Sequence, residues 1–280
     1  MESSGDLGMK KDECNWTALY VNYSSKIALE IADQILNEAR EIGEEVKIIY
    51  RKTGLLEYDG YKVESKKPCR LIIVGGDGTL LNALQDETNH DAIIATVAGG
   101  RRNFYYDASS IQGRSILKRL LNGAYVEQKV WGLKLEMGRR KHFFFNDAVI
   151  ASNHMKVIEL NVFINGRKLY EVAGDGIIIS TSSGSSAYNI SCGGPLVDFS
   201  HPSILLSPLN STILWNRPVV LDYLSSVDIE IERNIEYSKV ILDGTKVLDP
   251  EEKIKIYMYE KPIRFARFER LQTYEKIFRF

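Results

Sequence analysis

The chain has 280 residues, 44% of them hydrophobic and 26% charged, a balance that supports a buried core and excludes collagen-like, low-complexity and largely disordered classes. Thirty-six Lys and Arg face 37 Asp and Glu, so the formal net charge of -1 leaves no basic footprint for nucleic acid, and any polyanion must be met by a local site. No apolar run is long enough to span a bilayer and the N-terminus lacks a secretory signal, so the expectation is a cytoplasmic protein with no membrane partner.

Residues 1–16 read as a loosely ordered tail. TALYVNY (17–23) then predicts a strand, and Ser24 and Ser25 can cap a helix whose apolar face is Ile27, Leu29, Ile31, Ile35 and Leu36, ending at Gly43. EVKIIY (45–50) is a strand, 51–69 is polar and turn-rich, RLIIVGGDGTLLNALQ (70–85) runs from a strand through glycines into a helix, and DAIIATVAGG (91–100) is another strand. A helix over 109–123 closes an α/β N-terminal domain, residues 17–124, in which ligands favour the carboxyl ends of the strands.

From residue 130 the apolar period drops to two. WGLKLEM, FFFNDAVI, VIELNVFI, RKLYEVA, GIIIST, TILW, VVL, VDIEIE, KVILDG and KIKIYMY predict short strands, with Asn165-Gly166 as a hairpin turn. That density gives an all-β C-terminal domain over 125–260, an antiparallel sandwich or barrel. Residues 261–280 carry too many aromatics to stay solvated and are expected to return to the first domain as an extended piece plus a helix.

Cys14, Cys69 and Cys192 are far apart and odd in number, which gives neither a disulfide framework nor a CxxC metal pair. His90, His142, His154 and His201 fall in no tight ligand spacing, so no residue is assigned as a metal ligand and any metal arrives with the substrate.

The strongest local signal is LIIVGGDGTLL (71–81). Gly75, Gly76 and Gly78 surround Asp77 where a strand turns into a helix, so backbone N–H groups and the helix N-terminus can meet phosphate. It is neither a Walker A loop nor GxGxxG, and a plain tight turn is the alternative. A carboxylate at an anion site makes sense if it holds Mg²⁺ on a nucleotide or takes a proton from a hydroxyl attacking phosphorus. Asn146-Asp147 can read a purine edge and ribose hydroxyls, or cap a strand end. In GDGIIISTSSGSSAYNISCGGPLV (174–197), small residues free the backbone for a ligand while Tyr188 offers a ring and a hydroxyl; a flexible serine loop is the alternative. Asp175 and Asp243 each sit beside a glycine at a strand end.

In this order, GGDGT (75–79), Asn146-Asp147, DG with STSSGSSAY (175–188), GGPLV (193–197), RPVVL (217–221) and the late DG (243–244) resemble the NAD kinase family over nearly the whole chain. The resemblance implies transfer of a phosphoryl group from ATP or polyphosphate to the adenosine 2′-hydroxyl of NAD. It implies Asp77 as the catalytic carboxylate, and Gly75, Gly76, Gly78 and Thr79 at phosphates. Asn146 and Asp147 would lie at adenosine and ribose, Ser186, Ala187 and Tyr188 along the NAD pocket, Ser183 and Asp175 nearby, and Asp243 as a further polar contact. Phe104 matches the aromatic residue of the family's GxLGF. Mg²⁺ carried by the donor and a homo-oligomer are implied as well. Departures stand at Arg102 and Asn103, at Asp147 where Glu is usual, and at Ala173 where Arg is common. Two other readings share parts of this pattern. One is a non-catalytic dinucleotide sensor; the other is a lipid kinase, which shares the GGDGT turn but needs an apolar groove.

Overall fold

The structure, a computed structural model, describes residues 16–52, 55–58, 67–99, 103–106, 115–154 and 156–268. The first sheet is built from β1 (Thr17–Val21), α1 (Lys26–Ile42), β2 (Val46–Lys52), β3 (Leu55–Tyr58), β4 (Arg70–Gly75), α2 (Asp77–Leu84), β5 (Ile93–Ala98), α3 (Ile116–Leu121) and β6 (Val126–Val130). Ser25 caps α1 through its hydroxyl, and Gly43 ends it in the left-handed region at φ 71°. β1, β2, β4 and β5 pair in parallel, which requires crossover connections, α1 lying in the one from β1 to β2 and α2 in the one from β4 to β5, while β3 folds back antiparallel on β2.

Ten short strands follow: β7 (Leu133–Met137), β8 (Arg140–Phe144), β9 (Asp147–Ser152), β10 (Ile158–Ile164), β11 (Arg167–Gly174), β12 (Gly176–Thr181), β13 (Ser203–Leu209), β14 (Val219–Asp222), β15 (Val227–Arg233) and β16 (Ser238–Leu242). β17 (Lys246–Leu248), β18 (Lys253–Met258) and β19 (Ile263–Arg267) complete the chain, with a short helix α4 (Tyr188–Ser191) after β12. The strands form two six-stranded sheets, β11-β10-β15-β18-β7-β8 and β14-β13-β12-β9-β16-β17. Alternate residues of both, among them Leu135, Ile150, Val162, Ile179, Leu206, Ile229 and Ile256, fill one core between them. Asn165 and Gly166 both have positive φ, 52° and 77°, as a two-residue hairpin turn needs.

The chain crosses from the first sheet to these paired sheets between Val130 and Leu133 and returns as β19, which inserts between β5 and β6. The first sheet then has α1 and α3 on one face, packed on Leu19, Ile72, Val74 and Val97. On the other face Ala18, Tyr20, Leu71, Ile73 and Phe265 meet α2 and an aromatic cluster of Tyr105, Phe143, Phe145 and Phe199. That second core joins the two halves, and the candidate site lies over it.

Several elements differ from expectation. Residues 55–58 are a strand within the stretch read as loop, β6, β13 and β17 have no counterpart in the sequence reading, and β6, inside the span 125–260 read as the all-β domain, pairs with β19 in the first sheet. TILW (212–215) is a turn whose Leu214 and Trp215 are each 80% exposed, because Thr212 bonds back to Ala173 and the chain bends away from the sheet. FFFNDAVI is two strands, broken at Phe145-Asn146. Of the helix read over 109–123, α3 covers Ile116–Leu121; residues 107–114 and the helix expected after residue 268 lie outside the described residues. Cys69 is disulfide-bonded, which cysteine spacing did not reveal, and Cys192 is a free thiol.

Candidate active site

The glycine turn is where β4 becomes α2. Gly76 is the N-cap and Asp77 the first helical residue. Thr79 folds back so that its hydroxyl accepts the Gly76 N–H at 3.3 Å. A Cβ on Gly75 would lie 2.3 Å from that hydroxyl oxygen, so glycine is what lets the side chain close the turn. Gly78 is exposed, with open space around its Cβ position. Asp77 is half-buried, and its Oδ2 and Oδ1 accept the N–H groups of Phe104 and Tyr105, both at 3.2 Å. Tyr106 donates its hydroxyl proton to the Gly76 carbonyl at 2.9 Å. The segment 103–106 therefore braces both the backbone and the carboxylate of the turn; Arg101 and Arg102 lie outside the described residues.

Asn146 and Asp147 sit where β8 ends and β9 begins, and Asp243 holds that break in shape. Its buried carboxylate accepts the N–H groups of Phe145 (3.0 Å), Asn146 (2.6 Å) and Asp147 (3.3 Å) and the Gln85 side-chain amide (3.2 Å), while its own N–H donates to the Asp147 carbonyl (2.9 Å). Asp243 itself is in the left-handed region at φ 51°. Burial pushes its carboxyl up to about 6 against the lowering pull of the three backbone donors, so it is ionised at neutral pH and suited to accept them. Its oxygens are engaged by protein donors, which makes it a clasp behind the loop. Burial, then the Asp243 charge, pushes Asp147 up to about 7, opposed by a hydrogen bond from the Tyr188 backbone.

The serine loop is tied down by hydrogen bonds. Residues Ser183–Ser186 form a 3-10 turn that leads into α4. Its hydroxyls serve the fold: Ser183 pairs with Thr181 Oγ1 at 2.9 Å, and Ser185 donates to the Val197 carbonyl at 3.0 Å and accepts the Val197 N–H at 3.1 Å. Ser183 is fully buried, Ser186 and Ala187 are half-buried, and Tyr188 is 50% exposed. A Cβ on Gly184 would lie 2.1 Å from the Asn146 carbonyl oxygen, so the loop presses directly on the Asn146 backbone. Asp175 is exposed at the start of β12, held by Asn210 at 2.7 Å, and its charge reaches Tyr188.

One residue joins these parts. The Tyr105 hydroxyl lies 2.6 Å from Asn146 Oδ1 and 2.9 Å from the Ser183 carbonyl oxygen, and the Tyr105 N–H is the donor to Asp77. Burial raises its phenol well above the usual range, and the charges of Asp77, Asp243 and Asp147 add to that. Phe104 and Phe199 wall this junction edge to face, 5.5 Å between ring centres. Asp77, Phe104, Asn146, Asp147, Ser183 and Tyr188 thus form one connected region, with Asp243 behind it and Asp175 at its rim. Tyr105, Tyr106 and Gln85 escaped the sequence reading; the only hint was the aromatic run Phe104-Tyr105-Tyr106 after a strand entering glycines.

No group of three His, Cys, Asp or Glu side chains gathers among the described residues. A lone half-buried carboxylate at a glycine turn fits a cation already carried by phosphates better than a resident ion, since Mg²⁺ commonly takes one or two protein carboxylates plus substrate oxygens.

A parallel sheet whose glycine turn presents a carboxylate, facing the loops of a paired antiparallel sheet, is the equipment of a phosphate- and nucleoside-handling protein. The comparisons make this specific. Residues 146–268 match the model of the ATP-NAD kinase C-terminal domain. The chain is 34% identical to an NAD kinase of Campylobacter lari over 201 residues, 70% of this chain and 71% of the relative. It is 29% identical to an NAD kinase of Aeropyrum pernix over 262 residues, 91% and 94% of the two chains. Its fold is similar to a crystal structure of an NAD kinase from Archaeoglobus fulgidus in complex with ATP (TM-score 0.72, 21% identity, 91% and 93% covered). It is similar also to a yeast NADH kinase complexed with NADH (TM-score 0.79, 18% identity, 95% and 87% covered). The chain belongs to the NAD kinase family.

Proposed function

We propose that the protein is an ATP-dependent NAD kinase, a phosphotransferase with an alcohol acceptor that forms NADP by phosphorylating the adenosine 2′-hydroxyl of NAD. The observation that carries this reading is the double attachment of Tyr105, whose N–H meets the Asp77 carboxylate while its hydroxyl meets Asn146 and Ser183. A phosphate turn and a nucleoside loop built by different sheets thereby share one site, as an enzyme joining a donor phosphate to a nucleoside hydroxyl requires.

Asn146 and Asp147 hold the adenosine and ribose, helped by the Tyr188 ring and the backbone of Ser186 and Ala187. The turn Gly75–Thr79 meets the donor phosphates, with Gly78 leaving room for close approach. Asp77 orients the 2′-hydroxyl and takes its proton as the bond to phosphorus forms and the donor's bridging oxygen leaves. Mg²⁺ bound to the donor would neutralise charge on the transferred group. The architecture in this reading is an α/β domain and a β-rich domain, with the C-terminal strand returned to the first. The protein works in the cytoplasm as a homo-oligomer; no helix among the described residues is long and apolar enough to cross a membrane.

The test is purified protein with NAD, Mg²⁺ and, in turn, ATP, other nucleoside triphosphates and polyphosphate, with NADP read by an NADP-specific dehydrogenase. NADP formed with ATP is expected. NAD binding without NADP from any donor would refute the reading in favour of a sensor.

A further inference from the structure

We propose that Tyr105 is a positioning residue that sets the acceptor-reading amide of Asn146 and registers it to the Asp77 carboxylate. The inference rests on the NAD kinase reading and adds a residue that none of the sequence motifs contains. Every polar group of Tyr105 is engaged, and each by a different element. Its N–H donates to Asp77 Oδ1 on α2. Its carbonyl accepts from Thr96 on β5 at 3.1 Å and from the buried Arg267 on β19 at 2.7 Å. Its hydroxyl lies against Asn146 and Ser183 from the paired sheets. The ring is fixed by stacking with Phe199, 5.9 Å between centres, and by an edge contact with Phe145 at 5.4 Å.

The backbone of Asn146 is already held by Asp243 and pressed by Gly184, so the free variable is the side-chain amide. The Tyr105 hydroxyl is the group bonded to it, at a 2.6 Å contact in a buried site where a hydrogen bond confines the rotamer strongly. Without that bond the amide turns among several rotamers, and dinucleotide affinity falls because the competent one is only partly populated. The Asp77 contact uses the Tyr105 backbone and survives removal of the phenol oxygen.

The experiment is a double-mutant cycle on the full chain with Tyr105→Phe, Asn146→Ala and the pair, reading the Kd of NAD by calorimetry, kcat, the KM of ATP and the melting temperature. Expected is an about tenfold weaker Kd for Tyr105→Phe, kcat and the ATP KM within about threefold, and a double variant no weaker than Asn146→Ala alone. A Kd like wild type for Tyr105→Phe, or losses that multiply in the double variant, overturns the proposal. So does a variant unfolded at the assay temperature, if Tyr105→Met, which keeps the bulk in an adaptable side chain, is unfolded too, since Tyr105 is then a core residue only. Wild type that binds NAD but makes no NADP defeats the kinase reading and leaves the binding cycle to judge this one; wild type that binds no NAD defeats both.

Discussion

Asp243→Ala removes a single buried carboxylate, and its cost follows from the contacts. Three backbone N–H groups, those of Phe145, Asn146 and Asp147, lose their acceptor. At about 2 kcal/mol for each buried donor left unmet, this term is about 6 kcal/mol. Alanine at φ 51° adds about 1 kcal/mol. Against these, removing the charge returns about 3 kcal/mol at neutral pH, because burial pushes the carboxyl from 3.8 to about 6. The net expectation is a loss of about 4 kcal/mol, measured by urea unfolding followed by circular dichroism. Asp243→Asn keeps one acceptor oxygen and tolerates the left-handed backbone, so it should lose about half as much. The sign of the pH effect is fixed as well. A carboxyl raised in the folded state binds its proton more tightly there, so wild-type stability from this group rises as pH falls through 6 toward 3.8. The gap between wild type and Asp243→Ala should therefore widen by about 1 kcal/mol between about pH 7 and about pH 5. An alanine variant within about 1 kcal/mol of wild type, or a gap that narrows on acidification, would refute the clasp.

Three further outcomes follow from the site. Gly184→Ala forces a Cβ to within 2.1 Å of the Asn146 carbonyl oxygen; stability should fall by about 1–3 kcal/mol and the KM for NAD should rise, as read by melting and initial rates. Gly78→Ala meets nothing within 4 Å, so melting should not fall, while kcat drops if the turn's backbone approaches phosphate; unchanged kcat would remove Gly78 from the donor site. Asp147, pushed up to about 7, is largely protonated below that pH, so NAD affinity should improve as pH rises through 7, and Asp147→Asn should flatten the titration.

What the sequence shows depends on how local the chemistry is. The turn from β4 into α2 and the Asn165-Gly166 hairpin are legible because glycine placement settles them within a few residues. The parallel order of β1, β2, β4 and β5 follows from strand and helix alternation. The strand β13 is hidden because Pro208 interrupts HPSILLSPL; it is tolerated since pairing with β14 ends at Leu206, leaving Pro208 on an open edge. TILW misleads because its apolar residues protrude instead of packing. The clasp and the Tyr105 bridge are invisible to pattern reading, since Asp243 reaches back to Asn146 and Tyr105 forward to it across unrelated segments. Asp243 beside Gly244 reads as any turn aspartate, and only the fold gives its carboxylate three backbone partners.

The most direct measurement of the central claim compares binding and turnover in Asp77→Asn. The side chain keeps its size and one oxygen to accept a neighbouring N–H, so the Kd of NAD should stay within about threefold of wild type. NADP formation should fall by about a hundredfold or more, because the group that takes the hydroxyl proton is gone. A variant that turns over NAD at the wild-type rate would contradict the account.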